Sequence, residues 1–278
     1  MSLWSKVIHR TERAIACGAL HSIPTSYEFI AQDGINFLVR IVTNLARKAE
    51  DKQKTKPSTN PFLPYDENLY VADLPPSHIC LLNKFNVVEN HLLIITRDYQ
   101  DQEDWLTLED FQALWTCLQE IDGLGFYNGG EAAGSSQPHK HLQLVPFPFI
   151  PEIKTVPIET VIEFPHITLP YIHACEKLSI DPNLCLEEVA RIYLQCYDTL
   201  LQRVGLTKVG QKQTGAYNLL TTRRWMMLIP RSQESYQSIA VNSLGFAGAL
   251  LVRDREQLQL LKQLTPMEIL KNTAHSKN

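Results

Sequence analysis

A mixed α/β fold is predicted by three features of this chain. Short apolar or alternating blocks of strand length recur near residues 35–45, 91–97, 139–144, 216–220 and 225–231. Two longer segments, 106–121 and 186–203, carry apolar residues at helical spacing instead. Hydrophobic residues make up 44% and charged residues 20% of 278 positions, a folded composition in a chain long enough for a substantial core.

In chain order, residues 2–20 predict a helix with Leu3, Val7, Ile8, Ala14 and Ile15 on its apolar face and Gly18 near its stop. Tyr27, Phe29 and Ile30 precede an Asp33-Gly34 turn, and Phe37, Val39, Ile41 and Val42 follow it, so the two pieces form a hairpin. Residues 46–60 are a polar, basic loop with Arg47, Lys48, Lys52, Lys54 and Lys56. Such a run is ordinarily a solvated surface; a lysine loop can also close over polyphosphate. Asn-Pro-Phe-Leu-Pro-Tyr at 60–65 is stiffened by its prolines and offers Phe62 and Tyr65 as a wall. Strands are expected at 69–72, 77–82 and 91–97, the last ending in polar Thr96 and Arg97.

The 106–121 helix takes Thr107 or Asp104 as its cap and turns Phe111, Leu114, Trp115 and Leu118 to the core. Residues 123–128 read as a turn entering a strand, which places Asn128 beside His141. Residues 147–170, rich in proline, predict an irregular crossing, with His166 and His173 peripheral or satisfied in the core. The 186–203 helix follows, then strands at 216–220 and 225–231, a tight segment at 244–248, and a short helix at 266–271 with proline in its first turn. The organisation expected is one domain over 1–278, with 46–60 a basic loop and 252–278 a C-terminal extension.

Several function classes lack support. The formal net charge is −4 and there is no block of lysine and arginine suited to a nucleic-acid backbone. No apolar run approaches a membrane span, and the Met-Ser-Leu-Trp-Ser-Lys start lacks a signal-like segment; a cytoplasmic protein is expected. The six cysteines form no Cys-x-x-Cys pair and read as small core residues in a reducing compartment. A phosphate-binding P-loop, a dinucleotide fingerprint and a nucleophile elbow are all missing.

The chemistry concentrates at 129–146. His139, His141 and Gln143 recur at period two, so they share one face of a strand while Lys140, Leu142 and Leu144 take the other. Before them, Ser135, Ser136 and several glycines offer hydroxyls and backbone N–H groups where an anionic phosphate can sit. A single strand histidine is ordinarily a half-buried polar residue; two with a glutamine point to a catalytic or ligand site. A metal is the rival reading, but no convincing third ligand lies nearby, so no metal site is assigned.

These residues resemble those of the ATP adenylyltransferases, or diadenosine tetraphosphate phosphorylases, of the histidine-triad superfamily. The resemblance is carried by Ser-Ser-Gln-Pro-His-Lys-His-Leu-Gln at 135–143, by 60–65, 82–87 and 91–97, and by 217–220, Trp225-Met226, 229–231 and 242–248. It implies a histidine-triad-like fold, a mainly antiparallel sheet flanked by helices. It implies phosphorolysis of diadenosine tetraphosphate with inorganic phosphate to ADP and ATP, and release of sulfate from adenosine 5'-phosphosulfate. His141 would be the nucleophile, through an adenylyl-histidine intermediate; a backbone carbonyl behind it would fix its other nitrogen as a donor. His139 would hold the local network. Gln143, where hydrolytic relatives have a third histidine, can donate to phosphate oxygen but cannot titrate.

On the same basis Asn83, Asn128, Ser135, Ser136, Gln137 and Asn218 are candidate substrate contacts, and Lys54, with Lys52 and Lys56 as competitors, is the loop candidate for polyphosphate. Mg2+ or another divalent cation is expected as a phosphate counter-ion rather than a permanent protein-bound metal. The expected partners are diadenosine polyphosphates, ATP, ADP and inorganic phosphate, with no nucleic acid and no membrane; the oligomeric state is left open. Two alternatives remain: a hexose-1-phosphate uridylyltransferase, whose paired-cysteine zinc site has no counterpart here, and a non-catalytic nucleotide-binding protein.

Overall fold

The structure, a computed structural model, describes residues 1–42, 60, 62–163 and 168–277. Helix α1 (Leu3–Ala16) is capped by Ser2, whose hydroxyl accepts from the Ser5 N–H. Strands β1 (Thr25–Gln32) and β2 (Ile35–Val42) form the expected hairpin; Asp33 and Gly34 both take positive φ, the geometry a two-residue turn demands. Strands β3 (Tyr70–Leu74), β4 (His78–Leu82) and β5 (Leu92–Thr96) follow. Helix α2 (Leu108–Leu118) begins with a capping box, Thr107 bonding the Asp110 N–H and Asp110 bonding back to Thr107, which settles the cap between the two candidates.

Next come β6 (Gly123–Gly129), β7 (His141–Pro146), the short helix α3 (Glu159–Glu163), β8 (Ala174–Lys177) and the long helix α4 (Leu186–Arg203). The two-residue hairpin β9 (Lys208–Val209) and β10 (Lys212–Gln213) leads to β11 (Tyr217–Thr221) and β12 (Trp225–Pro230). The C-terminal part holds β13 (Ser235–Tyr236), β14 (Ile239–Ala240), α5 (Ser243–Phe246), β15 (Ala249–Val252), α6 (Arg255–Leu264) and α7 (Pro266–Thr273).

One eight-stranded sheet, ordered β3-β4-β5-β7-β6-β11-β12-β8 and antiparallel at every step, forms the middle layer. Helices α1, α2 and α4 cover one face, burying Phe111, Leu114, Tyr193 and Tyr197 against Leu142, Leu144, Tyr217 and Leu219. The second face carries two separate apolar clusters. The larger joins Phe126, Val145, Met227 and Ile229 to the three-stranded sheet β1-β2-β15 and to α6 and α7. The smaller holds Ile79, Leu81, Leu93 and Ile95 under Phe62, Tyr65 and Tyr70. The histidine strand β7 runs along the seam between them.

Four segments differ from the sequence reading. Residues 123–128, expected as a turn entering a strand, are strand throughout, in β6; their glycines serve close approach, since a Cβ on Gly125 would stand 2.8 Å from Leu114 Cδ1. The proline-rich crossing contains α3, while Phe164 to Ile167, with His166, lie outside the described residues. The tight 244–248 segment forms most of α5, a helical turn capped by Asn242. Residues 252–278, read as an extension, carry α6 and α7, which bury Leu258, Leu261, Ile269 and Leu270, and just before them β15 pairs parallel with β2. All six cysteines are free; Cys80, Cys117 and Cys196 are buried and Cys17 and Cys185 exposed. Among the described residues no helix is long and apolar enough to cross a membrane.

Candidate active site

Strand parity places the site. β7 lies between β5 and β6, so its odd-numbered residues face the seam and its even-numbered ones face α2. His139 precedes the strand, held by an isolated bridge to Asp101, yet its ring and that of His141 both meet Phe62, with centroids 5.7 and 5.1 Å away. Tyr65 stands behind, stacked on Tyr70. On the opposite face, buried Lys140 reaches Asp110 at 2.6 Å and the Trp105 carbonyl at 2.8 Å.

His141 is fully formed for one protonation state. Its Nδ1–H donates to the His139 carbonyl at 2.8 Å, which leaves Nε2 with its lone pair and without a hydrogen-bond partner among the described residues. Burial pushes its pKa down to about 4, against the opposing effect of that carbonyl, so the ring is neutral at pH 7. His139 is also held below the ordinary histidine range by burial. Its Nε2 meets the Thr96 hydroxyl and carbonyl, both at 2.9 Å, and its Nδ1 meets Asn60 Oδ1 at 2.9 Å.

Gln143 is oriented by a residue the sequence reading missed. Its Oε1 lies 2.9 Å from His91 Nε2. A carboxamide oxygen only accepts, so His91 Nε2 carries the proton, and His91 Nδ1 accepts from Asn83 Nδ2 at 3.2 Å. The chain Asn83 to His91 to Gln143 therefore turns the Gln143 NH2 away from His91. Burial holds the His91 pKa at about 4. A signal for His91 existed: it shares its parity with Leu93 and Ile95, so a lone polar group heads an otherwise apolar strand face.

The Gly130 to Gln137 loop brings the remaining candidates. Gly134 has φ 85° and sits against Val241, where a Cβ would be 2.8 Å from the carbonyl oxygen, so no other residue fits. The Ser135 hydroxyl donates to the Gln137 carbonyl, and Ser136 is exposed. Asn128 and Asn218 face each other across β6 and β11. Asn218 Nδ2 donates to Asn128 Oδ1 at 2.9 Å and to the Ala133 carbonyl, and buried Arg231 donates to Asn218 Oδ1 at 2.5 Å. Asn128 Oδ1 also accepts from the Ser243 N–H and hydroxyl. Both asparagines thus hold the loop, and the Asn128 carboxamide oxygen is fully engaged. Asn128 is opposite His141, as expected, but the side chain of Gln102 stands between their backbones.

Lys54, Lys52 and Lys56, with the rest of the basic loop from Arg47 to Thr59, lie outside the described residues. Trp225, Met226 and Met227 are buried packing residues of β12. His173 lies away from the seam, bonded to the Tyr171 carbonyl. Among the described residues no three His, Cys, Asp or Glu side chains converge as a metal cage.

The buried histidines make stability depend on pH. His91 and His141 take protons at 6.5 when unfolded but only at about 4 when folded. Between those values the unfolded chain binds more protons, so stability falls as pH drops from 6.5 towards 4. Each histidine contributes on the order of 3 kcal/mol across the window. Urea unfolding from pH 7 to 4.5 is expected to show this loss, and His91→Gln to flatten it by about one proton. An unchanged slope in that variant would remove His91 from the account.

Two family models match the chain. Residues 1–164 match the Ap4A phosphorylase N-terminal domain and residues 167–276 the ATP adenylyltransferase C-terminal domain. The chain is 29% identical over 272 residues to diadenosine 5',5'''-P1,P4-tetraphosphate phosphorylase 2 of Saccharomyces cerevisiae, covering 84% of this chain and 81% of that protein. The crystal structure of yeast Ap4A phosphorylase Apa2 superposes with a TM-score of 0.82 at 25% identity, covering 99% of this chain and 98% of that one. The Apa2 complex with Ap4A superposes with a TM-score of 0.78 at 25% identity and the same coverage.

Proposed function

The chain belongs to the ATP adenylyltransferase family, that of the Ap4A phosphorylases, and is an enzyme of that kind; we propose that it cleaves diadenosine tetraphosphate with inorganic phosphate through an adenylyl-His141 intermediate. The observation that carries the residue assignment is the His141 ring, with Nδ1–H tied to the His139 carbonyl and Nε2 on the seam without a hydrogen-bond partner among the described residues. In the first step Nε2 attacks the α-phosphorus and the bond from that phosphorus to the bridging oxygen breaks, releasing ATP. The positive charge gained by the imidazole is stabilised at Nδ1–H by the His139 carbonyl. In the second step a phosphate oxygen attacks the same phosphorus, the P–N bond breaks, and ADP leaves with His141 restored. Two in-line displacements retain configuration at phosphorus.

The Gln143 NH2, turned away from His91, is suited to donate to a non-bridging oxygen of the transferred phosphoryl group. His139 orients the strand through its carbonyl and Thr96. Asn83 acts through His91, and Asn218 acts through Asn128 on the loop that carries Ser135, Ser136 and Gln137. Lys54 remains the candidate for polyphosphate contact. A divalent cation such as Mg2+, bound to the substrate's phosphates, would supply charge neutralisation. The fold is read as histidine-triad-like and residues 1–278 as one catalytic domain, because the large sheet draws strands from both matched halves.

Product analysis tests the reading. With diadenosine tetraphosphate, ADP and ATP are expected in equal amounts and only when phosphate is present. ATP with AMP in the absence of phosphate would mean hydrolysis. Turnover of a uridine nucleotide sugar instead would move the chain to the uridylyltransferase reading.

A further inference from the structure

We propose that Gln102 is a positioning residue for His141, its side-chain amide replacing a stretch of missing ladder between β6 and β7. The proposal rests on the reading of His141 as nucleophile. The β6–β7 ladder runs from Gly123 opposite Pro146 to Phe126 opposite Gln143 and stops there. On its outer side β7 stays paired with β5 as far as His141, and β6 stays paired with β11 as far as Gly129. The two strands therefore part at the level of Asn128 and His141. The loop that carries Ser135 and Gln137 leaves and returns through this opening.

Parting strands exposes backbone groups that must find partners elsewhere. Gln102 supplies them. Its Oε1 accepts from the His141 N–H at 2.8 Å, and its Nε2 donates to the Asn128 carbonyl at 2.9 Å and to the His141 carbonyl at 3.3 Å. One carboxamide thus mimics the donor and acceptor of an absent strand residue. The residue is itself fixed: it is 2% exposed, its N–H donates to the Pro138 carbonyl at 2.8 Å, and its carbonyl accepts from the Tyr127 hydroxyl at 2.5 Å. It bonds both ends of the loop and both backbone groups of His141. Glutamate keeps the acceptor and loses the donors; methionine keeps the length and loses both. Methionine frees both backbone groups of His141 and glutamate frees its carbonyl, and both release the Asn128 carbonyl, while the Phe62 wall stays and the loop keeps its bonds from Asn218 and Arg231.

The full-length protein is compared as wild type, Gln102→Met and Gln102→Glu. Single-turnover formation of ADP and ATP, AMP affinity by equilibrium titration, and 15N-histidine NMR are measured on each. A displacement of the nucleophile by about 1 Å lowers the chemical rate by about 100-fold. A kcat reduced about 30- to 100-fold in Gln102→Met is expected, less in Gln102→Glu, with AMP affinity within about threefold of wild type. The His141 ring resonances shift in both variants and those of His173 stay. A folded Gln102→Met with wild-type kcat overturns the proposal, as does a loss confined to KM and AMP affinity. Should Gln102→Met not fold, Gln102→Glu at wild-type kcat overturns it equally. If the wild type forms no ADP and ATP, the reaction assignment fails instead. The NMR arm then decides alone, and unmoved His141 resonances reject the role of Gln102.

Discussion

Replacing His141 by alanine is expected to lower phosphorolysis of diadenosine tetraphosphate by at least about 1,000-fold while AMP still binds. The variant removes the atom that would attack phosphorus, the hydrogen bond to the His139 carbonyl, the one such bond of the ring among the described residues, and the edge contact with Phe62. The neutral form of that ring is favoured by burial, which holds its pKa at about 4. The two histidines beside it are already engaged. His91 is occupied by Asn83 and Gln143, and His139 by Thr96 and Asn60. Substrate labelled at the α-phosphorus should leave an acid-labile, base-stable label on the wild-type protein when phosphate is withheld, and none on His141→Ala. Turnover within about tenfold of wild type in the variant would transfer the nucleophile elsewhere. Nucleotide binding without any label on the wild-type protein would favour the binding-protein reading.

Much of this was legible locally. Period-two spacing put His139, His141 and Gln143 on one face because β7 is an inner strand whose parity is fixed by neighbours on both sides. The stiff 60–65 segment offered Phe62 as a wall, and it stands against both histidine rings. The 186–203 helix matched its span because its apolar stripe is unbroken and Gly205 follows. What local pattern could not show were partnerships across the chain. His91 reaches Gln143 over 52 residues, and Gln102 reaches His141 over 39. Gly123 and Gly125 read as turn-formers, but their missing side chains make room for the Val145 carbonyl and Leu114. Asn128 and Asn218 had the right chemistry for phosphate, and the fold ties both to the loop beside it through Arg231 and Ser243.

The second large effect is expected on stability, from the face of β7 turned away from the seam. Lys140 and Asp110 are both buried there, 2.6 Å apart, and His78 meets the other carboxylate oxygen at 2.8 Å. Burial alone would raise the Asp110 pKa; the His78 hydrogen bond and the Lys140 charge outweigh it and hold it at about 2. Its contribution is therefore complete above the ordinary 3.8 and is lost as pH falls from there towards 2, a window separate from that of the histidines. Asp110→Asn with its carboxamide oxygen turned to Thr107 and Lys140 keeps the shape and the cap but leaves an ammonium with only neutral acceptors, that oxygen, Trp105 and Gln100. Destabilisation by about 3–5 kcal/mol is expected in urea at pH 7, because a charge stripped of its partner cannot reach water. Lys140→Met removes that charge and leaves Asp110 with His78 and Thr107, so a smaller loss is expected, and the double variant should lose less than the sum. A loss under about 1 kcal/mol for Asp110→Asn, or strict additivity, would reject the pair as an anchor. Function follows from position: Lys140 stands between His139 and His141, so its tether to α2 holds the segment that enters β7 and carries both histidines. Lys140→Met should accordingly slow turnover at temperatures where the variant remains folded.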